Sequence, residues 1–211
     1  MTLQIKTFVL GKLNNNVYLL FDDQTRDAVI IDPPLDPDLL AQFIQEKSLN
    51  LENIWITHAH FDHYYGLPYL EKTLSSIKTV SLHKDDLGLW RNGGGARHFL
   101  GKNIDIPEPN QLISAGQHLF LGEHEFIVHL APGHTAGSVI YYSAELKCAF
   151  CGDVIFYHGI GRTDLQGGDL GLLIHSIQTQ VLTLPDETIL YPGHGPSTTV
   201  AEEKAKNPFL R

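Results

Sequence analysis

Cysteine is scarce in this chain of 211 residues, which carries only Cys148 and Cys151. A chain of this length buries about 70% of the surface that its unfolded form exposes, so it needs no disulfide to fold. The two cysteines lie three positions apart in an apolar run, and such positions on a strand point to opposite faces. A single C-x-x-C pair is also a weak zinc signal. We therefore expect two buried, unbridged thiols that serve as apolar side chains.

Long apolar runs and positive charge are scarce as well. No run approaches the roughly 20 residues of a membrane-spanning helix, and residues 1–10 lack the continuous apolar centre of a secretion signal. The 15 Lys and Arg against 24 Asp and Glu give a formal net charge of -9, which disfavours nucleic acid because phosphate contacts need Lys and Arg. We expect a cytoplasmic protein that acts on a small molecule, with neither nucleic acid nor a membrane as partner.

Short runs rich in branched and aromatic residues recur along the chain, separated by turn residues, and they predict β-strands. No internal repeat or long linker interrupts them, so residues 1–211 are expected to form a single domain. The predicted strands are residues 3–10, 17–21, 28–31, 54–57, 79–82, 126–130, 139–142, 148–151 and 188–191.

Three helices are predicted between and after these strands. Asp36 and Pro37 have the form of a helix N-cap followed by proline at the first helical position, before an apolar face over 39–44. Residues 170–182 carry apolar side chains at helical spacing after Asp169 as a cap. A shorter helix is expected over 66–74. Strands with interleaved helices indicate sheets covered by helices, and the glycine-rich segment 92–111 is expected to be an irregular, functional or mobile loop.

The segment His58-Ala59-His60-Phe61-Asp62-His63 follows the apolar run 54–57, which is predicted to be a buried strand. His58 and His60 are two positions apart, so an extended chain projects both rings to one side. Their nitrogens can then converge on an ion about 2.0–2.1 Å away. Asp62 and His63 come where the chain turns, and they point to a second position nearby. A chance occurrence of this pattern is improbable, so the segment indicates a metal site.

Three further candidate ligands follow predicted strands in the same way. His134, Asp153 and His194 each come after an apolar run and one or more small or turn-forming residues. A single histidine after a strand is usually only hydrogen-bonded or solvated. Strand ends gather at one edge of a sheet, however, and loops from several strands meet there. The repeated arrangement predicts a site for two metal ions.

We assign three residues to each ion and one to both. His58, His60 and His134 are expected to hold the first ion, and Asp62, His63 and His194 the second, with Asp153 bridging. Nitrogen and carboxylate ligands without thiolate suit zinc, iron and manganese; two zinc ions are the first expectation.

These residues resemble the signature of the metallo-β-lactamase superfamily, H-x-H-x-D-H followed by later His, Asp and His. Among its members the chain looks most like the small glyoxalase II-like hydrolases. The resemblance implies an α+β fold, a four-layer αββα sandwich of two mixed sheets with helices outside. It also implies that Asp32 orients metal-binding histidines, whereas a simple turn aspartate is the other interpretation. The similar segments are residues 14–19, 30–33, 131–138, 160–164, 191–196, 202–204 and 207–209.

The resemblance implies hydrolysis of a thioester such as S-lactoylglutathione by attack of a metal-bound hydroxide on the carbonyl carbon, since metal lowers the pKa of water to about 7. Asp62 is expected to orient the nucleophile as well as to bind metal. Arg162 is the candidate for a substrate or support contact, with an ordinary surface arginine as the other interpretation. Full-length glyoxalase II enzymes carry a C-terminal helical domain with basic residues for glutathione, which this chain is not expected to contain.

Other functions on the same fold stay open. Residues 161–168 are also similar to the persulfide dioxygenases, which use one iron held by two histidines and an aspartate. A β-lactamase or lactonase is a further alternative, and so is a binding protein descended from an enzyme.

Overall fold

The computed structural model describes residues 3–211, so Met1 and Thr2, the start of the segment tested for a secretion signal, lie outside the described residues. The first of two six-stranded sheets has the strand order β1-β2-β3-β4-β5-β6. Its first three strands pair antiparallel and the rest parallel. The strands are β1 (Leu3–Leu10), β2 (Asn15–Asp22), β3 (Asp27–Ile31), β4 (Asn50–Trp55), β5 (Thr79–His83) and β6 (Gln111–Ile113).

The second sheet has the order β14-β13-β10-β9-β8-β7. Its neighbours pair antiparallel except for β10 and β13, which run parallel. The strands are β7 (His118–Leu121), β8 (His124–Leu130), β9 (Val139–Ser143), β10 (Cys148–Gly152), β13 (Ile189–Pro192) and β14 (Thr198–Thr199), and a separate hairpin comprises β11 (Ile155–Phe156) and β12 (Gly159–Ile160).

Six α-helices lie between and after these strands, and within residues 3–211 no helix is long and apolar enough to cross a membrane. They are α1 (Asp38–Glu46), α2 (Leu67–Thr73), α3 (Leu87–Arg91), α4 (Ala96–Leu100), α5 (Leu170–Ser176) and α6 (Val200–Lys206). A π-helical turn, Ile177–Val181, extends α5, and 3-10 turns span Phe61–His63, Lys84–Asp86 and Pro208–Leu210.

Strand β2 shows how the layers form, because it is buried along its whole length. Val17 and Leu19 pack on one face with Leu40 of α1, whereas Leu20 packs on the other face against the second sheet. This alternation is the two-residue period of a strand covered on both sides.

Three apolar cores separate four layers. The first lies between the first sheet and helices α1, α2 and α3, and the second lies between the sheets, where Trp55 contacts Phe126 edge to face at 5.1 Å. The third lies between the second sheet and α5 and α6, around Leu173 and Val200. The predicted αββα sandwich is confirmed.

All nine predicted strands are present, with boundaries shifted by a few residues. The largest shift concerns β4, which begins at Asn50 and ends at Trp55, so Ile56 and Thr57 lie beyond the strand. The sequence did not predict β6, β7, β11, β12 and β14. These strands have two to four residues each, too few for a two-residue period to show.

The helix over 170–182 is confirmed, with the Asp169 carboxylate accepting a hydrogen bond from the Leu172 amide at 2.9 Å. The expected cap of α1 is wrong. Asp36 has a positive φ of 59°, and the helix begins at Asp38 with Pro37 in the cap position and no side-chain cap. The expected loop over 92–111 contains helix α4.

The two thiols are buried and free, as predicted. Cys148 faces the core between the sheets, and Cys151 faces the core beneath α5. Their side chains therefore point to opposite faces of β10.

Candidate metal centre

Four loops meet at one edge of the sandwich, and each follows the end of a strand. β8, β10 and β13 run in the same direction, because β8 and β10 are both antiparallel to β9 and β13 is parallel to β10. Their carboxyl ends lead to His134, Asp153 and His194, and the loop after β4 carries the segment from His58 to His63.

The first group comprises His58, His60 and His134, all buried. His134 Nε2 lies 3.2 Å from His58 Nε2 and 2.9 Å from His60 Nδ1. Both His58 and His60 lie in the loop beyond β4, where His60 keeps an extended backbone, and their rings converge on one centre. His58 presents Nε2 to that centre, whereas His60 presents Nδ1.

The second group comprises Asp62, His63 and His194. Asp62 Oδ2 lies 3.6 Å from His63 Nε2 and 3.5 Å from His194 Nε2. Asp62 and His63 belong to the 3-10 turn that follows His60, and this turn directs them away from the first group. The two groups are the same two sets of three that the sequence predicted.

Asp153 lies between the groups. Its Oδ1 atom is 3.5 Å from His63 Nε2, and its Oδ2 atom is 3.7 Å from the Nε2 atoms of both His134 and His194. Oδ1 is buried without a hydrogen-bond partner among the described residues. A buried carboxylate oxygen without a partner is costly, so this atom faces a place suited to a cation.

In three of the histidine rings, a hydrogen bond from Nδ1–H fixes Nε2 as the nitrogen that faces Asp153 and the candidate cation position. His134 Nδ1–H donates to the Arg162 carbonyl at 2.7 Å, and His194 Nδ1–H donates to the Leu13 carbonyl at 3.1 Å. His63 Nδ1–H donates to Asp32 Oδ2 at 3.0 Å. The Nε2 atom of each ring, once the ring is neutral, then carries a lone pair directed at this place.

Asp32 also fixes the fourth ring through Thr57. The Thr57 hydroxyl donates to Asp32 Oδ2, so it accepts from His58 Nδ1–H at 3.1 Å and leaves His58 Nε2 free. Asp32 has a left-handed backbone with φ of 55°, which aspartate tolerates better than most residues, and its Oδ1 atom accepts from the Thr57 amide at 2.7 Å. It therefore supports two histidines, His58 through Thr57 and His63 directly, which a simple turn aspartate would not do.

The site favours positive charge. Burial alone would lower the pKa of His63, but the carboxylates of Asp153 and Asp62 outweigh burial and hold that pKa well above its usual value. Burial lowers the pKa of His60 to about 3, with repulsion from His134 adding to the effect. Burial would raise the pKa of Asp153, but the neighbouring His63 outweighs burial and lowers that pKa to about 2. The carboxylates stay ionised, and His60 stays neutral as a ligand must.

Metal ions fit these residues. Nitrogens about 2.0–2.1 Å from a tetrahedral zinc lie about 3.3 Å apart, close to the 2.9 and 3.2 Å found in the first group. Within residues 3–211 no Lys or Arg side chain is buried, although Asp32 is buried and Asp62 and Asp153 are only 13% exposed. Bound cations would balance these charges.

A cavity of about 230 Å³ opens above the two groups. Apolar side chains of Leu13, Phe61, Phe99 and Leu165 form part of its wall, and Arg162 is the one cationic side chain among the described lining residues. Gly94 and Phe99, from the segment expected to be a functional loop, reach this wall. The cavity gives a small molecule access to the centre.

The family model described as the metallo-β-lactamase superfamily matches residues 10–194. The chain belongs to the metallo-β-lactamase superfamily. It is 38% identical over 210 residues to a protein of Haemophilus influenzae named hydroxyacylglutathione hydrolase GloC, covering 99% of this chain and 98% of that protein. It is also 32% identical over 198 residues to the mouse mitochondrial persulfide dioxygenase ETHE1, covering 92% of this chain and 70% of that one.

Two solved structures are closely similar to this chain. BLEG-1, described as a B3 metallo-β-lactamase, superposes with a TM-score of 0.92 at 38% identity, covering 98% of this chain and 99% of its own. TTHA1623, solved in a di-iron-bound form, superposes with a TM-score of 0.85 at 37% identity, covering 97% of this chain and all of its own.

Asn15 is a residue of the candidate metal centre that the sequence did not indicate. Its side-chain amide donates to Asp62 Oδ2 at 2.9 Å, and the residue is buried. The neighbouring Asn16 amide donates to the carbonyls of Pro192 and Gly195 at 2.9 and 2.7 Å, which fixes the loop that carries His194. Three consecutive asparagines before a strongly apolar strand are the signal that could have indicated this role.

Arg162 lies at the cavity rim and is exposed. Its guanidinium forms two hydrogen bonds to the Asp164 carboxylate, at 2.7 and 2.8 Å, and lies 5.9 Å from the Phe99 ring centre. The support contact to His134 comes from the Arg162 carbonyl, so any residue at this position could provide it.

Proposed function

We propose that this protein is a metal-dependent hydrolase that cleaves a thioester of a small thiol, such as S-lactoylglutathione. The observation that carries the proposal is the convergence of two groups of ligand-type side chains, with Asp153 between them, beneath a cavity of small-molecule size. The similarity to the H. influenzae hydroxyacylglutathione hydrolase along nearly the whole of both chains supports the substrate class.

Two divalent ions held by these seven side chains would lower the pKa of water and stabilise negative charge on a carbonyl oxygen. The protein supplies the positions. Asp62 is the proposed catalytic residue, because it lines the cavity and is held by Asn15. Burial would raise its pKa, but His63 and His194 lower it. The ionised carboxylate can therefore accept a hydrogen bond from an attacking water and fix its orientation.

The leaving group favours a thioester over an amide. A thiol has a pKa of about 8.5, so its anion leaves with little protonation. An amine leaving group needs a proton donor, and the described cavity wall contains no lysine, tyrosine, serine or threonine side chain. A substrate that needs no general acid fits this wall best.

The cavity wall also indicates the shape of the substrate. Leu13, Phe99 and Leu165 suit a short acyl group or its thiol chain, and the Arg162 guanidinium suits a carboxylate. Because Asp164 already pairs with Arg162, an anionic substrate has to compete with that carboxylate. Glutathione carries two carboxylates and fits this description.

The test is a panel of thioesters, beginning with S-lactoylglutathione, assayed on protein of measured metal content. Oxygen esters with the same acyl groups are assayed beside them. We expect kcat/KM for S-lactoylglutathione to exceed 10⁴ M⁻¹ s⁻¹, the lower end of the ordinary enzyme range. The Asp62→Asn variant serves as the control for contaminating activity. Turnover that persists in this variant, or none by fully metal-loaded protein on any thioester, would contradict the proposal.

A persulfide dioxygenase is the second candidate, supported by the similarity to mouse ETHE1. The second group of ligands argues against it, since one iron held by two histidines and an aspartate would leave Asp62, His63 and His194 without a common role. Oxygen uptake with glutathione persulfide separates the two. Rapid uptake by the iron form, with no thioester turnover, would establish the dioxygenase instead.

A β-lactamase is the third candidate, because BLEG-1 carries that description. Opening a β-lactam ring releases an amine nitrogen that must gain a proton, and the described cavity wall has no lysine, tyrosine, serine or threonine side chain to supply it. Nitrocefin hydrolysis measured beside thioester hydrolysis tests this directly. We expect the thioester to be the better substrate by at least about 100-fold in kcat/KM, which corresponds to about 2.7 kcal/mol in the transition state.

A further inference from the structure

The first group of histidines is assembled from two chain segments that are far apart in sequence. His58 and His60 belong to the loop after β4, whereas His134 follows β8 more than seventy residues later. The nitrogen-to-nitrogen distances of 2.9 and 3.2 Å depend on the relative position of these loops. A side chain that binds both backbones would set that position.

Asp86 is such a side chain. It ends the 3-10 turn Lys84–Asp86 just before α3 and has no solvent exposure. Its Oδ2 atom accepts hydrogen bonds from the Ala59 amide and from the Thr135 hydroxyl, both at 2.8 Å. Its Oδ1 atom accepts from the Gly137 amide at 2.6 Å. One carboxylate therefore binds Ala59, which lies between His58 and His60, and two residues that follow His134.

The packing around Asp86 is close. A Cβ atom added to Gly137 would lie 2.6 Å from the Asp86 amide nitrogen and 2.8 Å from its Cβ and Cγ atoms. Contacts of that length do not occur between real side chains, so only glycine allows the second loop to approach the carboxylate this closely. Thr135 is held in turn by Ser138, whose Oγ lies 2.7 Å from its hydroxyl.

The charge of Asp86 has no cationic partner in its hydrogen bonds, since all three donors are neutral groups. A buried carboxylate without a counter-charge is costly. Asp32, Asp62, Asp86 and Asp153 together bring four negative charges to this part of the molecule, and two divalent cations bring four positive charges. The proposed ions would therefore offset the cost of burying Asp86.

We propose that Asp86 is a positioning residue that sets the spacing of the His58, His60 and His134 nitrogens by joining their two loops. The inference rests on the proposed metal site. Asp86 lies outside both ligand groups, yet it would control how tightly and in what geometry the first ion is bound.

Asp86→Asn is the direct test, because asparagine keeps the shape and loses one acceptor. Whichever way the amide is turned, its NH₂ group faces a backbone N–H, either that of Ala59 or that of Gly137, and one loop loses its anchor. We expect zinc at the first site to bind roughly 10- to 100-fold more weakly, the usual effect of removing a partner that orients ligands. Competition with a fluorescent chelator measures the affinity, and the visible spectrum of the cobalt form reports the ligand geometry.

Glu203→Gln is the matched control for a merely structural effect. Glu203 is equally buried and accepts hydrogen bonds from Thr198, Asn207 and the His158 amide, none of which lies on the histidine loops of the first group. We expect both variants to lower the melting temperature, but only Asp86→Asn to weaken zinc binding and alter the cobalt spectrum.

A second pair of variants covers the case in which Asp86→Asn does not fold. Thr135→Val removes one of the three hydrogen bonds without changing the side-chain shape, and Thr135→Ser restores it. We expect Thr135→Val to weaken the first zinc by several-fold and Thr135→Ser to bind like the wild type. If Asp86→Asn and Thr135→Val both keep the wild-type zinc affinity and cobalt spectrum, this inference is overturned and the proposed function stands. A wild-type protein that binds no zinc or cobalt overturns it together with the proposed function.

Discussion

The Nδ1–H group of His134 donates a hydrogen bond of 2.7 Å to the main-chain carbonyl oxygen of Arg162. The Arg162 side chain points elsewhere and pairs with Asp164 at the rim of the cavity. One residue thus supports a candidate metal ligand with its backbone and faces the substrate cavity with its guanidinium, and the two roles can be separated by mutation.

Arg162→Ala is expected to raise KM for an anionic thioester about tenfold with little change in kcat. The carbonyl that holds His134 remains, so metal content should stay at the wild-type level. A tenfold change corresponds to about 1.4 kcal/mol of lost binding, near the upper end of the net contribution of a typical hydrogen bond, as expected for a partly solvated ion pair. Arg91→Ala is the matched control, because Arg91 forms the same kind of exposed pair with Glu108 away from the cavity. Equal KM values in the two variants would contradict the assignment.

Gly193→Ala is expected to disturb the centre by steric overlap. An added Cβ atom would lie 2.2 Å from Asp153 Oδ1 and 2.7 Å from His63 Cε1. Displacing these groups by about 1 Å should lower kcat/KM by at least 100-fold. Gly88→Ala is the control, since nothing lies within 4 Å of its added Cβ atom and alanine stabilises a helix by about 0.5–1 kcal/mol relative to glycine. Steady-state kinetics and thermal melting report both effects, and a fully active Gly193→Ala variant would show that the glycine is not needed.

The two cysteines are expected to resist thiol reagents in the native protein. Burial raises the pKa of Cys148 to about 12 and raises that of Cys151 further, whereas an unfolded thiol ionises near pH 8.5. At pH 8 a disulfide reagent should therefore label neither thiol in the native protein and both thiols in guanidinium chloride. The neutral buried thiols favour the folded state fully below about pH 8.5. The free energy of unfolding then falls as pH rises, because the thiols of the unfolded chain ionise first. Rapid labelling of native protein would contradict the buried positions.

Asp62→Asn is expected to remove nearly all turnover while the fold persists. Asparagine retains the shape of the side chain, but it is neutral and has one oxygen in place of two. Losing a group that both binds the second ion and orients water should lower kcat by roughly 10²–10⁴. We expect the second metal equivalent to be lost and the circular dichroism spectrum to be unchanged. Asp164→Asn, at the rim, should keep both metal equivalents; loss of a metal there would show that charge at the rim controls binding.

The sequence predicted sheets covered by helices, two groups of three candidate ligands and Asp153 between them, because these features depend on short local patterns. The apolar run of β2 predicts a strand without reference to the rest of the chain, and each candidate ligand follows a strand end. The resemblance to a known superfamily then supplied the arrangement of the two sheets, which no local pattern contains.

Contacts between distant segments could not be predicted in this way. Asn15 reaches Asp62 across 47 positions, and Asp86 reaches Gly137 across 51, so neither pair leaves a periodic signal. Which nitrogen of His60 faces the centre was equally hidden, because it depends on the turn of the loop beyond β4. The wrong cap for α1 has a local cause: Asp36 adopts a left-handed backbone, and the helix begins one residue later than the proline position suggested.

Metal stoichiometry tests the central claim most directly. We predict that elemental analysis of protein equilibrated with zinc and freed of unbound metal gives about two ions per chain, and about one per chain for His194→Ala, whose first group is intact. A wild-type chain that retains no zinc, iron or manganese under these conditions would contradict the account.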